Sequence, residues 1–593
     1  MKNFKINISS KWKPLWVQFP LVPLIAIAIV VAMITWGRYG NFHIDFGREL
    51  YTAWRISAGD VLYRDIAWFN GPLSQYFNGL MFYIFGPYIS VIYASNLLVL
   101  ICIIILIYNI MLKLNGMFAA IASVLFFLQI SAFSSIADVN NYNFISPYSH
   151  EITHGILLLL FSVYRLICFS KQKNLKNAFI CGIAVGLSLL TKPEIALANI
   201  VGVGCGWWAI LRYHSDPKGK WRLSSRALLG VILPSIFAIV LFSLAMPVGM
   251  VFESITTPLR LMVSSKVRNI PLYKSIVGIE SFTENIIAVS LSLALNGFII
   301  ALLLFTEKLF KTKDKIFNAK FITWVLVGIG IIYLLIPVKQ RHSISLLFPS
   351  CWPLASLLLI LFLFLRKDKN ERSYPIILTM ALYSFLLLSK TFFRAIFAHY
   401  GVFLLIPGSL LFISYIFTII TKSSVPSIYK TIHKVCIVAL LFIIVFPFVE
   451  KTYYNLLARN IFEETKRGNI YINQREQGMV FDAIHYLRAN IGKDDTLAVL
   501  PQGAGVNYIL GKVNPTRYIT ILPLESIAFG KQNILDAYAQ HPPDWVVVFS
   551  ETTGDTTSAD WMDFARRLDA YARNYAKPLE GRFFSVFKRK SPS

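Results

Sequence analysis

Hydrophobic residues along this chain come in runs of about 20, broken by short polar loops, and the pattern changes only near Glu450. Runs of that length cross a bilayer core as helices. Thirteen can be read, the first over residues 15–36, the second over 89–112, the third over 117–133 and the fourth over 152–167. A tight pair then turns at Thr191-Lys192-Pro193-Glu194, a further run covers 228–246, and the last covers 435–449. Between the first two runs, Phe46, Leu50, Ala53 and Trp54 recur at helical spacing, with Arg48, Glu49, Thr52 and Arg55 on the other side. That pattern predicts an amphipathic helix suited to a membrane surface. Gly59-Asp60 stops it, and Asn70-Gly71-Pro72 opens a second, mostly apolar helix that Gly86-Pro87 ends.

After Glu450 the periods shorten. Strand-like runs at 496–500, 518–522, 545–549 and 583–587 alternate with helical patterns at 479–491, 531–540 and 559–576. Such alternation predicts a small α/β domain. The expected architecture is a polytopic α-helical membrane domain over 1–449, with about thirteen spans, followed by an α/β domain over 450–593.

Composition agrees with a membrane protein: 56% of the 593 residues are hydrophobic and 15% are charged, where a soluble domain carries roughly a quarter. The net charge of +26 is not a nucleic-acid footprint, because the tail from Glu450 holds 18 basic against 16 acidic residues. The excess collects in alternate loops of the membrane half. That bias puts the N-terminus in the cytoplasm and, after an odd number of spans, the tail domain outside. The basic N-terminus is followed by a run too long for a signal-peptide core, so an uncleaved first span is expected. All six cysteines lie in apolar segments without a CxxC, which supports neither a disulfide framework nor a thiolate metal site.

Ionisable residues at membrane depth or at its edge are costly and therefore candidates for function. On the outer side they are Asp45, Asp65, Lys192, Glu194, Arg341, His342, Arg394 and His399, the last followed by Tyr400. Carboxylates near one helix pair, with cations on several other helix ends, suit a reaction that expels a phosphate. The carboxylate takes a proton from an acceptor hydroxyl, and Lys and Arg hold the charge that develops on the leaving phosphate. Each residue also has a plainer reading. Asp45 fits an N-cap of the helix that follows it, Asp65 can pair with Arg64 or Arg55, and Lys192, Arg341 and Arg394 can snorkel toward headgroups.

Asp45 soon after the first span, the run GDVLYRDIAWFNGPL and a two-helix external loop resemble the large membrane glycosyltransferases of the C-type fold. The match is closest to family 39-like enzymes, the group of protein O-mannosyltransferases and the lipid A aminoarabinose transferase. The tail run PQGAGVNYILGKVNPTRY is similar to the NPTRY tail of bacterial members. The resemblance implies a bacterial plasma-membrane enzyme that takes a sugar from a polyprenyl-phosphate donor and gives it to an extracytoplasmic lipid, glycan or protein. It implies Asp45 as base with Asp65 as the second acid, and Lys192, Arg341 and Arg394 on the donor phosphate. The Asp-Glu pair frequent in that group is absent, Asp45 being followed by Phe46-Gly47.

His150-Glu151-Ile152-Thr153-His154 fits HExxH, which on a helix sets two histidines on one face for zinc. Three uses are open: an intramembrane metalloprotease, a divalent metal assisting sugar transfer, or a polar lining of the mouth, in which Glu151, His342, His399 and Tyr400 touch substrate. The transfer reaction itself requires no cofactor. A lipid-linked-sugar transporter is the rival reading from another class, and it predicts repeated halves.

Overall fold

The computed structural model describes residues 19–137, 139–212, 215–309, 315–366, 373–422, 427–549 and 575–590. Eight of its helices are long and apolar enough to cross a membrane, among them Ile89–Asn115, His150–Lys171, Pro193–Leu211 and Lys430–Leu457. Five shorter apolar helices, including Leu21–Ile34, Met117–Ala132 and Leu175–Ser188, lie among them. The chain is a multi-pass membrane protein. In Leu21–Ile34 the buried residues are Leu24, Ala28 and Ala32, one stripe at four-residue spacing, while Val22 and Met33 are exposed. An all-apolar helix with one packed stripe belongs against a bundle with its remaining faces in lipid. Leu175–Ser188 and Pro217–Ser243 approach closely at Gly182, Gly186 and Gly230, where an added Cβ would strike the opposing backbone.

The two loop helices form where the apolar spacing places them, at Asp45–Ser57 and Leu73–Phe85. Their setting differs from the expectation. Glu49 and Thr52 are as deeply buried as Phe46 and Leu50, so the first helix does not lie with its polar face in water. It is enclosed between the second loop helix and the tail helix Ala504–Leu510. Gly47 and Gly505 meet backbone to backbone, and a Cβ on either would also collide with the Phe42 carbonyl. Gly505 of the PQGAG run thus serves the close packing of the tail on the loop helix.

The tail holds a hairpin of β1 (Ile461–Glu463) and β2 (Ile470–Ile472), and a four-stranded sheet. That sheet runs β3 (Leu497–Leu500), β4 (Trp545–Phe549), β6 (Phe584–Arg589), β5 (Tyr575–Glu580). β3 and β4 are parallel and the remaining pairs antiparallel. The expected strand at 518–522 does not form. Side-chain bonds hold that segment instead: Asn514 Oδ1 accepts from the Thr516 N–H at 3.0 Å, and the Tyr538 hydroxyl donates to the Tyr518 carbonyl at 2.8 Å. A helix then starts at Pro523. Most of the expected 559–576 helix lies outside the described residues, and Tyr575-Ala576 open β5.

Candidate active site

Asp45 is the first residue of the first loop helix and points back toward the bundle. Its carboxylate accepts a hydrogen bond from Asn141 Nδ2 at 3.1 Å and lies 3.6 Å from the Arg48 guanidinium, one helical turn on. Burial raises its pKa, while Arg48, Lys192 and Asn141 pull the other way. Asp45 is thus an ionisable carboxylate beside two cations, with 28% of its side chain open.

Arg48 links three parts of the chain. It lies 5.1 Å from the centre of the Trp68 ring and 3.5 Å from Glu525, a buried carboxylate in the first turn of the tail helix Pro523–Phe529. One guanidinium therefore faces a carboxylate from the loop helix and another from the tail. Burial pushes Glu525 up to about 7, and among the described residues its Oε2 has no hydrogen-bond partner.

Beside them lies a buried polar network. Glu49 Oε2 accepts from Gln75 Nε2 at 2.7 Å and from His150 Nδ1 at 2.8 Å. Glu151 accepts from Trp68 Nε1 at 2.9 Å and from Ser149. Burial pushes Glu49 up to about 7. Buried carboxylates are expensive unless donors surround them, and Gln75, Trp68, Ser149 and His150 supply those donors from three elements.

This network decides how HExxH is used. Asn96 Nδ2 lies 3.1 Å from His150 Nε2, which must accept, so Nδ1 carries the proton given to Glu49. His150 has no lone pair left for a metal. His154 meets Ser74 through Nδ1. Among the described residues no group of three His, Cys, Asp or Glu is placed to hold a metal ion. The pair His150 and His154 therefore does not fit a zinc site, and Glu151 is fully buried with both oxygens hydrogen-bonded.

Lys192 caps the Pro193–Leu211 helix and is buried at 7% exposure. Its ammonium donates to the Tyr148 hydroxyl at 3.0 Å. Burial pulls it down to about 8, against the charges of Glu194 and Glu151. Around it stand Tyr142, Tyr148, His399 and Tyr400, with ring centres 4.9 Å apart for Tyr142–His399 and 5.1 Å for Tyr148–Tyr400. Lys390 closes this wall, 2.9 Å from Glu194 and 4.6 Å from the centre of the Tyr400 ring.

The structure brings Asp45, Lys192, His399 and Tyr400 into one neighbourhood and leaves four other candidates outside it. Asp65 accepts from Arg64 Nε at 2.9 Å and from the Val61 N–H at 2.8 Å, which fixes the loop between the two helices. Arg64 holds its carboxyl below the usual range, and no interaction among the described residues joins Asp65 to Asp45. Arg394 donates to the Ser275 hydroxyl at 2.9 Å. Arg341 and His342 belong to the Val338–Leu347 helix, with His342 against Phe448. No interaction among the described residues joins Arg341, His342 or Arg394 to Asp45.

Glu49, Arg48, Asn141, Gln75, Tyr148, Lys390 and Glu525 were not singled out from the sequence. A charged pair on the helix that follows Asp45 was a signal for the first two. Nothing local distinguished Glu525. The two motif-like stretches do touch: the Asn514 N–H donates to the Tyr51 hydroxyl at 3.0 Å, and the Ala67 N–H to the Arg517 carbonyl at 2.9 Å.

The chain is similar to the solved structure of ArnT from Cupriavidus metallidurans bound to undecaprenyl phosphate. The identity is 12%, over 97% of this chain and 98% of that one, with a TM-score of 0.46. It is also similar to the Archaeoglobus fulgidus oligosaccharyltransferase tethered with an acceptor peptide, at 10% identity over 99% of this chain and 75% of that one, with a TM-score of 0.50. No protein-family model matches the sequence, and no curated protein matches it. At such identity the archaeal likeness speaks to architecture alone, and on that ground the chain has the C-type fold of membrane glycosyltransferases.

Proposed function

We propose that this protein is a membrane glycosyltransferase that moves a sugar from a polyprenyl-phosphate donor to an acceptor on the tail side of the membrane. The observation that carries the reading is Asp45, an open carboxylate held by Asn141 and Arg48 within the field of Lys192. Asp45 takes the proton of the acceptor hydroxyl as its oxygen attacks the anomeric carbon. The bond from that carbon to the phosphate oxygen breaks, and polyprenyl phosphate leaves with the bonding pair. One displacement inverts the sugar carbon. A phosphate is a stable leaving group and needs no general acid, so Lys192 serves by holding its charge. Tyr142, Tyr148 and Tyr400 supply the rings against which a sugar face packs. The tail closes the site and contributes Glu525 to it.

The test uses purified protein in lipid, a set of radiolabelled polyprenyl-phosphate sugars with candidate acceptors, and Asp45→Asn alongside. Removing a general base costs typically 10²- to 10⁴-fold, so wild type should release polyprenyl phosphate and the variant almost none. Saturable donor binding without release in wild type would overturn the transferase in favour of a carrier.

A further inference from the structure

A cavity of about 250 Å³ opens where the tail meets the Ile89–Asn115 span, lined by Pro87, Tyr88, Lys466, Arg467 and the end of the Ala504–Leu510 helix with Gly511. Arg467 sits in the turn of the β1–β2 hairpin and is half-buried. Its guanidinium lies 4.6 Å from the centre of the Trp54 ring and 5.1 Å from that of Tyr508, and Nε donates to the Tyr508 carbonyl at 3.1 Å. These contacts hold the group through ring faces and a carbonyl rather than through an anion. Among the described residues neither Arg467 nor Lys466 pairs with a carboxylate, and burial lowers the Arg467 pKa. A partly desolvated cation is normally matched by an anion. Here two adjacent cations border an open cavity instead.

The depth of that cavity can be read from the chain. The Ile89 N–H, at the start of a membrane-spanning helix, donates to the Arg467 carbonyl at 2.8 Å. Beside it Tyr83, Phe85 and Tyr88 are 76%, 62% and 49% exposed, a cluster of aromatic side chains of the kind that sits at headgroup level. We propose that this cavity binds the phosphate of an anionic membrane lipid, with Arg467 and Lys466 as its ligands and the acyl chains running down past Tyr88 and Phe85. The lipid would tie the base of the tail domain to the bilayer, at a site separate from the Asp45 neighbourhood. A hydrophobic wall that continues into the membrane favours a lipid over free phosphate, although both present the same anion.

The test measures lipid binding by the full-length protein, so it does not depend on the transfer reaction. Protein in phosphatidylcholine micelles is titrated with phosphatidylglycerol or with inorganic phosphate, reading bound lipid by native mass spectrometry and the thermal midpoint in parallel. Wild type should retain phosphatidylglycerol and gain midpoint. Lys466→Gln and Arg467→Gln should each weaken binding about fivefold, as expected for one interfacial cation, while Lys493→Gln should not. Lys466 is exposed, so its variant keeps the test decisive where loss of Arg467 disturbs folding. Equal retention by wild type and Lys466→Gln would overturn the site. Inorganic phosphate protecting as well as the lipid would overturn the lipid assignment.

Discussion

Glu525→Gln probes the junction of tail and membrane domain directly. Glu525 lies 3.5 Å from an Arg48 guanidinium that Asp45 also uses at 3.6 Å, so one cation is divided between two carboxylates. The result is incomplete compensation, and Glu525 is pushed from 4.5 to about 7. An acid whose folded pKa exceeds its unfolded one binds its proton preferentially in the folded state. Stability therefore falls as pH rises from about 4.5 to about 7, and above that range the full cost is present. At about 1.4 kcal/mol for each pH unit, that cost is on the order of 3 kcal/mol. Gln is isosteric and cannot ionise, so it removes the cost. Thermal unfolding of purified wild type and variant between pH 5 and 8 should diverge, with the variant gaining toward pH 8. Glu49, raised to about 7 as well, faces the same Arg48 and bends both curves, so the sign of the difference is what is compared. Parallel curves, or a variant that loses stability at pH 8, would refute the reasoning. The Arg48–Glu525 attraction would then outweigh the burial of the carboxylate.

The same substitution has a signature in the transfer reaction. With Glu525 unable to ionise, Arg48 is left to Asp45 across the whole pH range. That change moves the acid limb of the pH–rate profile to lower pH. A purely structural Glu525 would lower the amount of folded protein and leave that limb in place.

Lys192, pulled down to about 8, loses its charge as pH rises through that value, so donor retention should weaken above pH 8. Lys192→Arg should carry binding to higher pH, measured by donor titration. Asp65→Asn breaks a pairing with Arg64 away from Asp45 and should leave polyprenyl-phosphate release within about twofold, as for a surface ion pair. Gly505→Ala places a Cβ against Gly47 and the Phe42 carbonyl. It should cost about 1–3 kcal/mol by overpacking and speed proteolytic release of the tail.

The reach of the sequence here follows from the range of the signals. Membrane helices announce themselves through run length, because the bilayer imposes one dimension on every span. The loop helices at Asp45–Ser57 and Leu73–Phe85 were legible from apolar spacing with Gly and Pro punctuation. That pattern reports which faces are apolar and says nothing of what covers the polar ones. An uncovered helix bearing Arg48, Glu49 and Thr52 on one side reads as a surface helix, and only distant partners, Gln75 and His150 against Glu49 and the tail's Glu525 against Arg48, turn that side into an interior. Asp65 and Glu525 make the same point in opposite directions. Asp65 stands in the motif-rich loop, yet its neighbour Arg64 satisfies it. Glu525 stands in no motif, yet the fold carries it to Arg48. HExxH matched a metal pattern while both His150 nitrogens were committed, through Asn96 and Glu49, to partners 54 and 101 residues away. A local motif states which chemistry a segment could perform. Which chemistry remains available is settled by long-range partners, Asn96 and Glu49 for His150 and Asn141 and Lys192 for Asp45.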